Sequence, residues 1–361
     1  MMTKEGEETH DVYLAAVECG GTSFVLSVGR VDDRLSPPFE VVWKESVETK
    51  EDPEETLKEC ADLLSRQPYT YAALGIATFG PVGLNRQDKG TYGRILSSSP
   101  KHHWRNVDLV TPLLKAVGEE IPHLLETDVN APAYAEYLWA TTNTVVSSVA
   151  YVTVGTGVGV GLVMNGQPVH GMMHPEGGHV IVKPLPNDTF EGYSWGKEKS
   201  PYGGVHTVEG IASSVALTER LGNNDDDRNS LADISNDNDI WDHAANALAN
   251  LCVSLILLTS VQKIVFGGGV MNRSCLYDKI QTYTQQHLNN YIPQLPSIGP
   301  SQWKEDSGMM GALVLAHQAY IQKDHTNKNK NKALTSNQFL HGILVGAAVT
   351  SMVLFQMIRS K

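Results

Sequence analysis

The chain has 361 residues, of which 41% are hydrophobic and 19% charged, and its formal net charge is −12. This length and composition predict a globular protein with room for two lobes that each bury a core. The acidic balance argues against nucleic acid as the main partner. Four widely spaced cysteines without a CxxC pair argue against a disulfide scaffold and a cysteine-rich zinc site, and they indicate a reducing compartment. The polar, acidic start of the chain does not read as a signal peptide.

Strands and helices alternate in the first part of the chain. The predicted strands run from Val12 to Val17, Phe24 to Val28, Val41 to Val47 and Tyr71 to Ala77, and the predicted helices run from Pro53 to about Arg66, Pro112 to Val117 and Ala131 to Trp139. A cap residue, Asp52, followed by a proline and two glutamates is typical of a helix start. Thr111 is the expected cap of the second helix.

The stretch from Tyr151 to His179 combines a glycine break, a hairpin and a charged loop. Apolar strands from Tyr151 to Val154 and from Val160 to Met164 flank the break, and Asn165-Gly166 predicts a two-residue hairpin turn. The loop that follows, HPEGGH, brings a carboxylate and two imidazoles close to the break. A glycine-kinked core hairpin with a satisfied histidine explains this stretch about equally well when it is taken alone.

Helices dominate the second half of the chain. The predicted elements are a strand from Ile181 to Pro186, a helix from Thr207 to about Leu221, a long helix from Ile240 to about Ser260 capped by Asp239, a strand from Val261 to Phe266 and a last helix from Ser307 to Ile321. The long helix is apolar on all sides at its centre, so we expect it to be buried. Its apolar run is too short to cross a bilayer.

The C-terminal residues predict a membrane anchor. After a Lys/Asn-rich linker, Phe339 to Ile358 is a run of twenty residues without formal charge and with basic flanks, which matches the hydrocarbon thickness of a bilayer. We expect this transmembrane helix to hold the protein on the cytosolic face of an intracellular membrane, either the mitochondrial outer membrane or the endoplasmic reticulum. A buried terminal helix is the alternative. A GxxxG from Gly342 to Gly346 would let two tails pack as a homodimer.

Three glycine-rich breaks end apolar strands, namely Gly20-Gly21-Thr22, Gly155-Thr156-Gly157 and Gly267-Gly268-Gly269. Backbone N–H groups and threonine hydroxyls at the first two would bind phosphates, and the third would let a nucleoside approach the backbone. The chain lacks GxxxxGK[ST], and no helix follows the first break, which excludes a P-loop and argues against a dinucleotide-binding fingerprint. The repeated strand–loop–strand unit predicts a duplicated pair of lobes that face each other across a cleft.

From Val12 to Tyr320 the sequence resembles the ROK (repressor, open reading frame, kinase) sugar kinases of the actin-like ATPase superfamily, and most closely their fructokinase branch. The resemblance is carried by ECGGTSF, GIATFGPVG, ETDVNAPAYAE, VTVGTGVGVG, HPEGGH and FGGGV. It implies an α/β, ribonuclease H-like fold of two lobes with duplicated phosphate-loop hairpins. The implied segments are a first lobe over 11–126, a second lobe over 127–305, a helix returning to the first lobe over 306–322, the linker over 323–338 and the anchor over 339–358.

The resemblance also implies roles for individual residues. Asp128 matches the catalytic base, which would accept the proton of a sugar hydroxyl as it attacks ATP, although a helix cap explains an Asp at this place too. Glu18 matches an acidic position that reaches Mg²⁺ through water, with a surface acid as the alternative. The implied sugar contacts are Thr127, Asn130, Glu176, His179, Gly80 and Pro81, and the implied ATP contacts are the three glycine breaks.

One segment departs from the family pattern. Fructokinases of this branch hold zinc with the second His of the HPExGH motif and a CPxHGxC segment, which here reads SPYGGVH. Ser200 replaces the first Cys and Gly203 stands at the His position. His179 and His206 alone do not make a four-ligand site, so we expect zinc to be absent.

The sequence therefore favours an ATP- and Mg²⁺-dependent kinase that phosphorylates a hexose, with fructose preferred over mannose or glucose. A catalytically weak sugar sensor or scaffold is the competing interpretation. The intact Asp128 and glycine loops argue for catalysis. Only about eleven polar residues precede the first strand, which leaves no room for the DNA-binding helices of family repressors.

Overall fold

The computed structural model describes residues 11–193, 205–222 and 231–323. Two five-stranded sheets form its framework. The first sheet contains β1 (Tyr13–Cys19), β2 (Ser23–Val31), β3 (Phe39–Glu48), β4 (Tyr71–Thr78) and β5 (His123–Thr127). The second sheet contains β6 (Ser148–Val154), β7 (Val158–Met164), β8 (Gln167–Pro168), β9 (Lys263–Gly267) and β10 (Ser297–Pro300). The predicted segment 339–358 lies outside the described residues.

The two sheets share one topology. The first has the strand order β3-β2-β1-β4-β5, and the second, read from its short edge strand, has the order β8-β7-β6-β9-β10. In each sheet a glycine-tipped antiparallel hairpin, β1–β2 or β6–β7, pairs in parallel with the next long strand, β4 or β9. The repeated hairpin noted in the sequence therefore lies at the centre of each sheet. In both sheets the hairpin turn lies at the carboxyl ends of the parallel strands.

Helices cover the sheets and separate them. They are α1 (Pro53–Ser65), α2 (Val110–Val117), α3 (Asn130–Asn143), α4 (Val208–Ala212), α5 (Ser214–Arg220), α6 (Ile240–Thr259), α7 (Cys275–Leu288) and α8 (residues 307–323). The α1 and α2 helices pack on one face of the first sheet, and α4 to α7 pack on the far face of the second. The α3 helix lies between the sheets and is buried against both, which its small residues Ala131, Ala133 and Ala135 permit.

The last helix returns to the first sheet. Leu313, Leu315 and Ala316 of α8 share a buried cluster with Leu14 and Ala16 of β1. Contact with β4 is backbone to backbone, because a Cβ on Gly75 would lie 1.9 Å from the carbonyl oxygen of Ala312. Alternate residues of β1 thus face α8 and α1, which explains why that strand reads as a continuous apolar run.

Most predicted elements are present, and the differences lie at their ends. Asp52 caps α1 as predicted, by accepting from the N–H of Glu54. Asp108 rather than Thr111 accepts at the start of α2, and Asn238 rather than Asp239 accepts at the start of α6. Residues 181–186 form a single bridge, Ile181 to Thr207, in place of the predicted strand. The helix predicted from Thr207 to Leu221 breaks at an extended Ser213, whose hydroxyl caps α5.

Within the described residues, one helix has the length and apolarity of a membrane span, and it is α6. A window of 18 residues in it is 61% buried inside the second core, against the sheet and α7. This agrees with the expectation of a buried helix. Ser260 ends it in a left-handed conformation, and β9 follows at once.

Candidate active site

The predicted catalytic residues meet in a cavity of about 600 Å³ between the two sheets. Glu18 enters it from the end of β1 and Asp128 from the end of β5. The second sheet contributes Thr153 from β6 and the loop Gly267 to Gly269 after β9. Three polar residues and one glycine loop, from four strand ends far apart in the sequence, therefore line one cavity. Ligands bind at such strand ends in folds of this kind.

Asp128 occupies the turn between β5 and α3. Its N–H donates to the carbonyl of Thr78 at 2.8 Å, which extends the pairing of β4 and β5 by one residue and fixes the turn. The carboxyl is half-buried, and burial raises its pKa to about 6. A carboxylate with a raised pKa is a stronger base while it still ionises at neutral pH, as proton abstraction from an alcohol requires.

Glu18 lies at the N-terminal end of α8. A Cβ on Gly308 would come within 1.9 Å of Glu18 Oε1, so only glycine permits this approach. Burial, and then the charge of Asp128, raise the pKa of Glu18 to about 7, while Lys44 opposes the shift. Lys44 in turn pairs with Asp306, just before α8. Neither Gly308 nor Lys44 was recognised from sequence, because both act through contacts between distant segments.

These acids fit Mg²⁺ as part of a nucleotide complex. Glu18 and Asp128 are oxygen donors, and each carries a raised pKa that a cation nearby would offset. In the part of the chain that the structure describes, no group of three or more His, Cys, Asp or Glu is arranged to hold a metal. Glu18 is the residue that would hold Mg²⁺ through water, with the nucleotide phosphates as further ligands.

The first two glycine breaks are exposed tips held by their own sheets. The N–H of Gly20 donates to Ser23 O at 3.0 Å, and Thr49 of the neighbouring segment binds both Gly20 O and Thr22 O. In the second break the carbonyl of Gly155 accepts from Ser214 at 2.7 Å. Hydrogen bonds to neighbouring segments thus fix both tips, while Gly21, Thr22 and Thr156 remain exposed at the surface where a ligand could bind.

Glu209 supports the second hairpin tip through a hydrogen bond to its backbone. Its Oε2 accepts the N–H of Val158 at 2.9 Å, directly after Gly157. This glutamate starts α4 and was not identified as a site residue from the sequence, where its only signal was its place in the first turn of a predicted helix.

A second cavity of about 670 Å³ adjoins the first. The two share Gly269, Asn272 and Ser274, and the second also touches Gly155 and Thr156. Its outer wall is organised by Arg273, which donates to the carbonyls of residues 231, 232 and 234 and lies 4.3 Å from the ring centroid of Trp241. The arrangement suits a nucleoside. No motif in the sequence pointed to Arg273.

The HPEGGH loop faces Asp128 across the cleft. Glu176 lies 3.4 Å from His174 Nδ1 and 3.7 Å from His179 Nε2. Burial, and then the charges of Glu209 and Asp128, raise the pKa of Glu176 to about 7. Burial lowers the pKa of His179. The loop therefore offers a carboxyl and neutral imidazoles at neutral pH, a set of donors and acceptors that suits sugar hydroxyls.

His174 joins this loop to the other predicted sugar segment. Its Nε2 accepts the N–H of Val82 at 3.3 Å, and its ring lies against Gly80. The Gly80–Pro81 bond is cis. Gly80 and Pro81 are thus brought beside Glu176, although direct contact of any of them with a sugar stays a prediction.

Thr127 and Asn130 are brought to the same place but point into the protein. Thr127 Oγ1 accepts the N–H of Asn130 at 3.0 Å, and Asn130 is fully buried with its amide bonded to Glu126 and Leu162. Glu126 also pairs with His170 at 2.7 Å. What the structure shows for both residues is support of the Asp128 turn, and their predicted contact with a sugar stays a prediction.

The predicted loss of zinc is likewise untested. Residues 194–204, which include Ser200 and Gly203, lie outside the described residues. His179 and His206 are both described, and the backbone joins their segments through the N–H of Val182 and the carbonyl of His206 at 2.8 Å. The absence of zinc stays a prediction.

The model of the ROK family matches residues 14–319. The chain belongs to the ROK family. A curated relative named putative fructokinase from Bacillus subtilis is 34% identical over 315 residues, covering 85% of this chain and 96% of the relative. The fructokinase of Zymomonas mobilis is 36% identical over 314 residues, covering 83% and 95%. A ROK family glucokinase from Streptomyces griseus, solved with glucose and AMPPNP, superposes with a TM-score of 0.63 at 21% identity, covering 86% and 100%.

These similarities confirm the predicted family, the two-sheet fold of the actin-like type and an enzyme of the sugar kinase class. The predicted membrane location is wrong. The two relatives align with the kinase fold over 95–96% of their own length, which leaves too little chain for a linker and a span of roughly 20 residues. The segment 339–358 lies beyond the family match, and the described helix with the character of a span, α6, is a core helix.

Proposed function

We propose that this ROK protein is a fructokinase that transfers the γ-phosphoryl group of ATP to fructose and forms fructose 6-phosphate. The observation that carries the proposal is the meeting of Asp128 and Glu18 with the Gly267–Gly269 loop in one cavity between the sheets. A base, an acid suited to Mg²⁺ and a nucleoside loop are the parts that phosphoryl transfer requires. The fructokinases among the relatives support fructose as the sugar.

In this proposal ATP spans the two cavities. The nucleoside occupies the space beside Thr156, Gly269 and Arg273, and the phosphates run toward the hairpin tips at Gly20–Thr22 and Gly155–Gly157. Backbone N–H groups and threonine hydroxyls bind the phosphate oxygens there. Glu18 is the residue that would hold Mg²⁺ through water, and the ion would neutralise phosphate charge when it binds with the nucleotide.

The sugar lies between the HPEGGH loop and the Gly80–Pro81 turn, with one primary hydroxyl at Asp128. Asp128 accepts the hydroxyl proton as the oxygen–phosphorus bond forms. The bond from the γ-phosphorus to the bridging oxygen breaks, and its electron pair leaves with ADP. Glu176 and His179 hold the other hydroxyls, so that the reacting oxygen stays in line with the γ-phosphorus.

The competing function is a sugar sensor with little catalysis. Three features speak against it: Asp128 is fixed by its bond to Thr78, both hairpin tips are open, and the raised pKa of Asp128 suits a base. None of them is needed for sugar binding alone.

A coupled assay of ADP release tests the proposal. Purified protein is given ATP, Mg²⁺ and, in separate reactions, fructose, mannose, glucose and N-acetylmannosamine, and the phosphosugar is identified by mass and NMR. We expect the highest kcat/KM with fructose and phosphorylation at position 6. A higher kcat/KM with another hexose would contradict fructose as the substrate, and no ADP release with any hexose would contradict the kinase.

A further inference from the structure

Lys101 lies between the first phosphate tip and the proposed sugar turn. Its Nζ donates to the carbonyl of Gly21 at 2.6 Å. The same ammonium is 5.4 Å from the ring centroid of Phe79, the residue before Gly80. Its backbone N–H donates to Ser99 Oγ, which in turn donates to Gly80 O, each at 3.3 Å. One side chain thus touches both loops between which a phosphoryl group would pass.

This ammonium has no acidic partner among the described residues, since no carboxylate of residues 11–193, 205–222 or 231–323 lies within 4.0 Å of it. By contrast, Lys44, Lys50 and Lys263 each pair with a carboxylate. Lys101 is half-buried, and burial lowers its pKa. A partly desolvated cation without a counter-ion, in a protein with a net charge of −12, is costly unless an anion binds beside it.

The segment that carries Lys101 is firmly anchored. The 3₁₀ helix His102–Trp104 follows it directly, and Trp104 is 2% exposed. The Trp104 ring packs against Phe24 and Phe79 at centroid distances of 5.2 and 5.5 Å, and its Nε1 donates to Lys50 O at 3.1 Å. The stem of Lys101 therefore starts from a fixed point, so its ammonium is preorganised at the tip rather than free to move away.

We propose that Lys101 is a catalytic residue that contacts the γ-phosphoryl group of ATP during its transfer. This inference rests on the proposed function, because it takes the Gly20–Thr22 tip as a phosphate site. The ammonium keeps its proton throughout. One N–H stays on Gly21 O, and the two others donate to the oxygens of the group that leaves ADP and joins the sugar. The positive charge stabilises the charge spread over those oxygens in the transition state.

Lys101→Met is the central variant, because it keeps the length of the stem and removes the charge. Lys101→Arg restores the charge, and Lys115→Met, at an exposed position of α2, is the matched control. We expect Lys101→Met to lower kcat by ~10²–10³-fold while the KM for fructose stays within about threefold. Isothermal titration should show a loss of about tenfold or more in affinity for AMPPNP and little change for ADP. Lys101→Arg should regain part of both losses, and Lys115→Met should match the wild type.

Two outcomes would overturn the proposal. Lys101→Met could retain the wild-type kcat, or it could lose ADP and AMPPNP affinity equally together with thermal stability, which is the signature of a side chain that only shapes the tip. The binding comparison needs no turnover. If the wild-type protein phosphorylates no hexose, the proposed function fails, and the difference between AMPPNP and ADP affinities still decides whether Lys101 meets the γ-phosphate.

Discussion

The side-chain oxygen of Asn130 accepts the backbone N–H of Leu162 at 3.0 Å, which ties the first residue of α3 to the middle of β7. Its Nδ2 donates to Glu126 at 3.2 Å, on the strand that precedes Asp128. Asn130 is fully buried, so neither bond competes with water. The turn that carries the proposed base is therefore held by the first sheet on one side and by the second sheet on the other.

Asn130→Ala should destabilise the protein by about 1–3 kcal/mol, because it leaves the buried Leu162 N–H and a carboxylate oxygen of Glu126 without these partners. Denaturant unfolding measures the loss. Asn272→Ala, at an exposed position, is the matched control and should stay within about 0.5 kcal/mol of the wild type. An unchanged midpoint for Asn130→Ala would show that water or a neighbour replaces the amide.

Asp128→Asn should lower kcat by ~10²–10⁴-fold and leave the affinity for ADP unchanged, because the amide keeps the shape of the side chain and cannot accept the sugar proton. Steady-state kinetics and titration of ADP measure the two effects. Asp278→Asn, an exposed acid on α7, serves as the control and should be fully active. A variant at position 128 with wild-type turnover would remove the base from the mechanism.

The value of kcat/KM should fall as the pH is lowered from about 7 to below about 6. Burial raises the pKa of Glu18 and of Glu176 to about 7 and the pKa of Asp128 to about 6, and the proposed roles require ionised Glu18 and Asp128. Activity is thus present above these pKa values and lost below them. A rate profile in fructose and ATP that stays flat down to pH 5 would contradict the assignment.

Asp128→Asn should also raise the melting temperature at pH 8. Burial raises the pKa of Asp128 to about 6 from an ordinary value of 3.8, so the folded protein binds this proton more tightly than the unfolded chain. The stability that the proton contributes is present at low pH and is lost as the pH rises through this interval. At pH 8 the ionised group opposes folding, and the neutral amide does not. Equal melting temperatures at pH 8 would mean that the carboxylate is well solvated.

Gly308→Ala should reduce activity and stability together, because the new Cβ would lie 1.9 Å from Glu18 Oε1 and must displace that carboxylate. Gly299→Ala, at a position on β10 with no atom within 4 Å of the added Cβ, is the matched control. Kinetics over a range of Mg²⁺ concentrations should show that Gly308→Ala, but not Gly299→Ala, needs more Mg²⁺ than the wild type for half-maximal activity. The same Mg²⁺ dependence in both variants would contradict a role of Glu18 in Mg²⁺ binding.

Sequence patterns were most informative where local chemistry decides the conformation. Asp52-Pro53 produced the predicted helix cap, and Asn165-Gly166 forms the predicted turn with both residues at positive φ, 52° and 76°. The glycine breaks and Asp128 lie at the ends of apolar strands as predicted, and their roles in binding and catalysis stay predictions. Residues whose place depends on distant segments were missed. Lys101 donates a hydrogen bond to Gly21, which lies 80 residues earlier in the chain. Arg273 donates to backbone carbonyls about 40 residues earlier.

The α8 helix packs closely on β4 at Gly75 but is synthesised long after that strand. The strands of the first sheet leave the ribosome early, but the face that α8 shares with α3 is not fully covered until residues 307–323 have been made. At roughly 5–20 residues per second the wait is on the order of ten to forty seconds. During that time Leu14, Ala16 and Ala73 lack the side chains of Leu313, Leu315 and Ala316 that bury them in the finished protein, so their apolar surface is available for contacts with other chains.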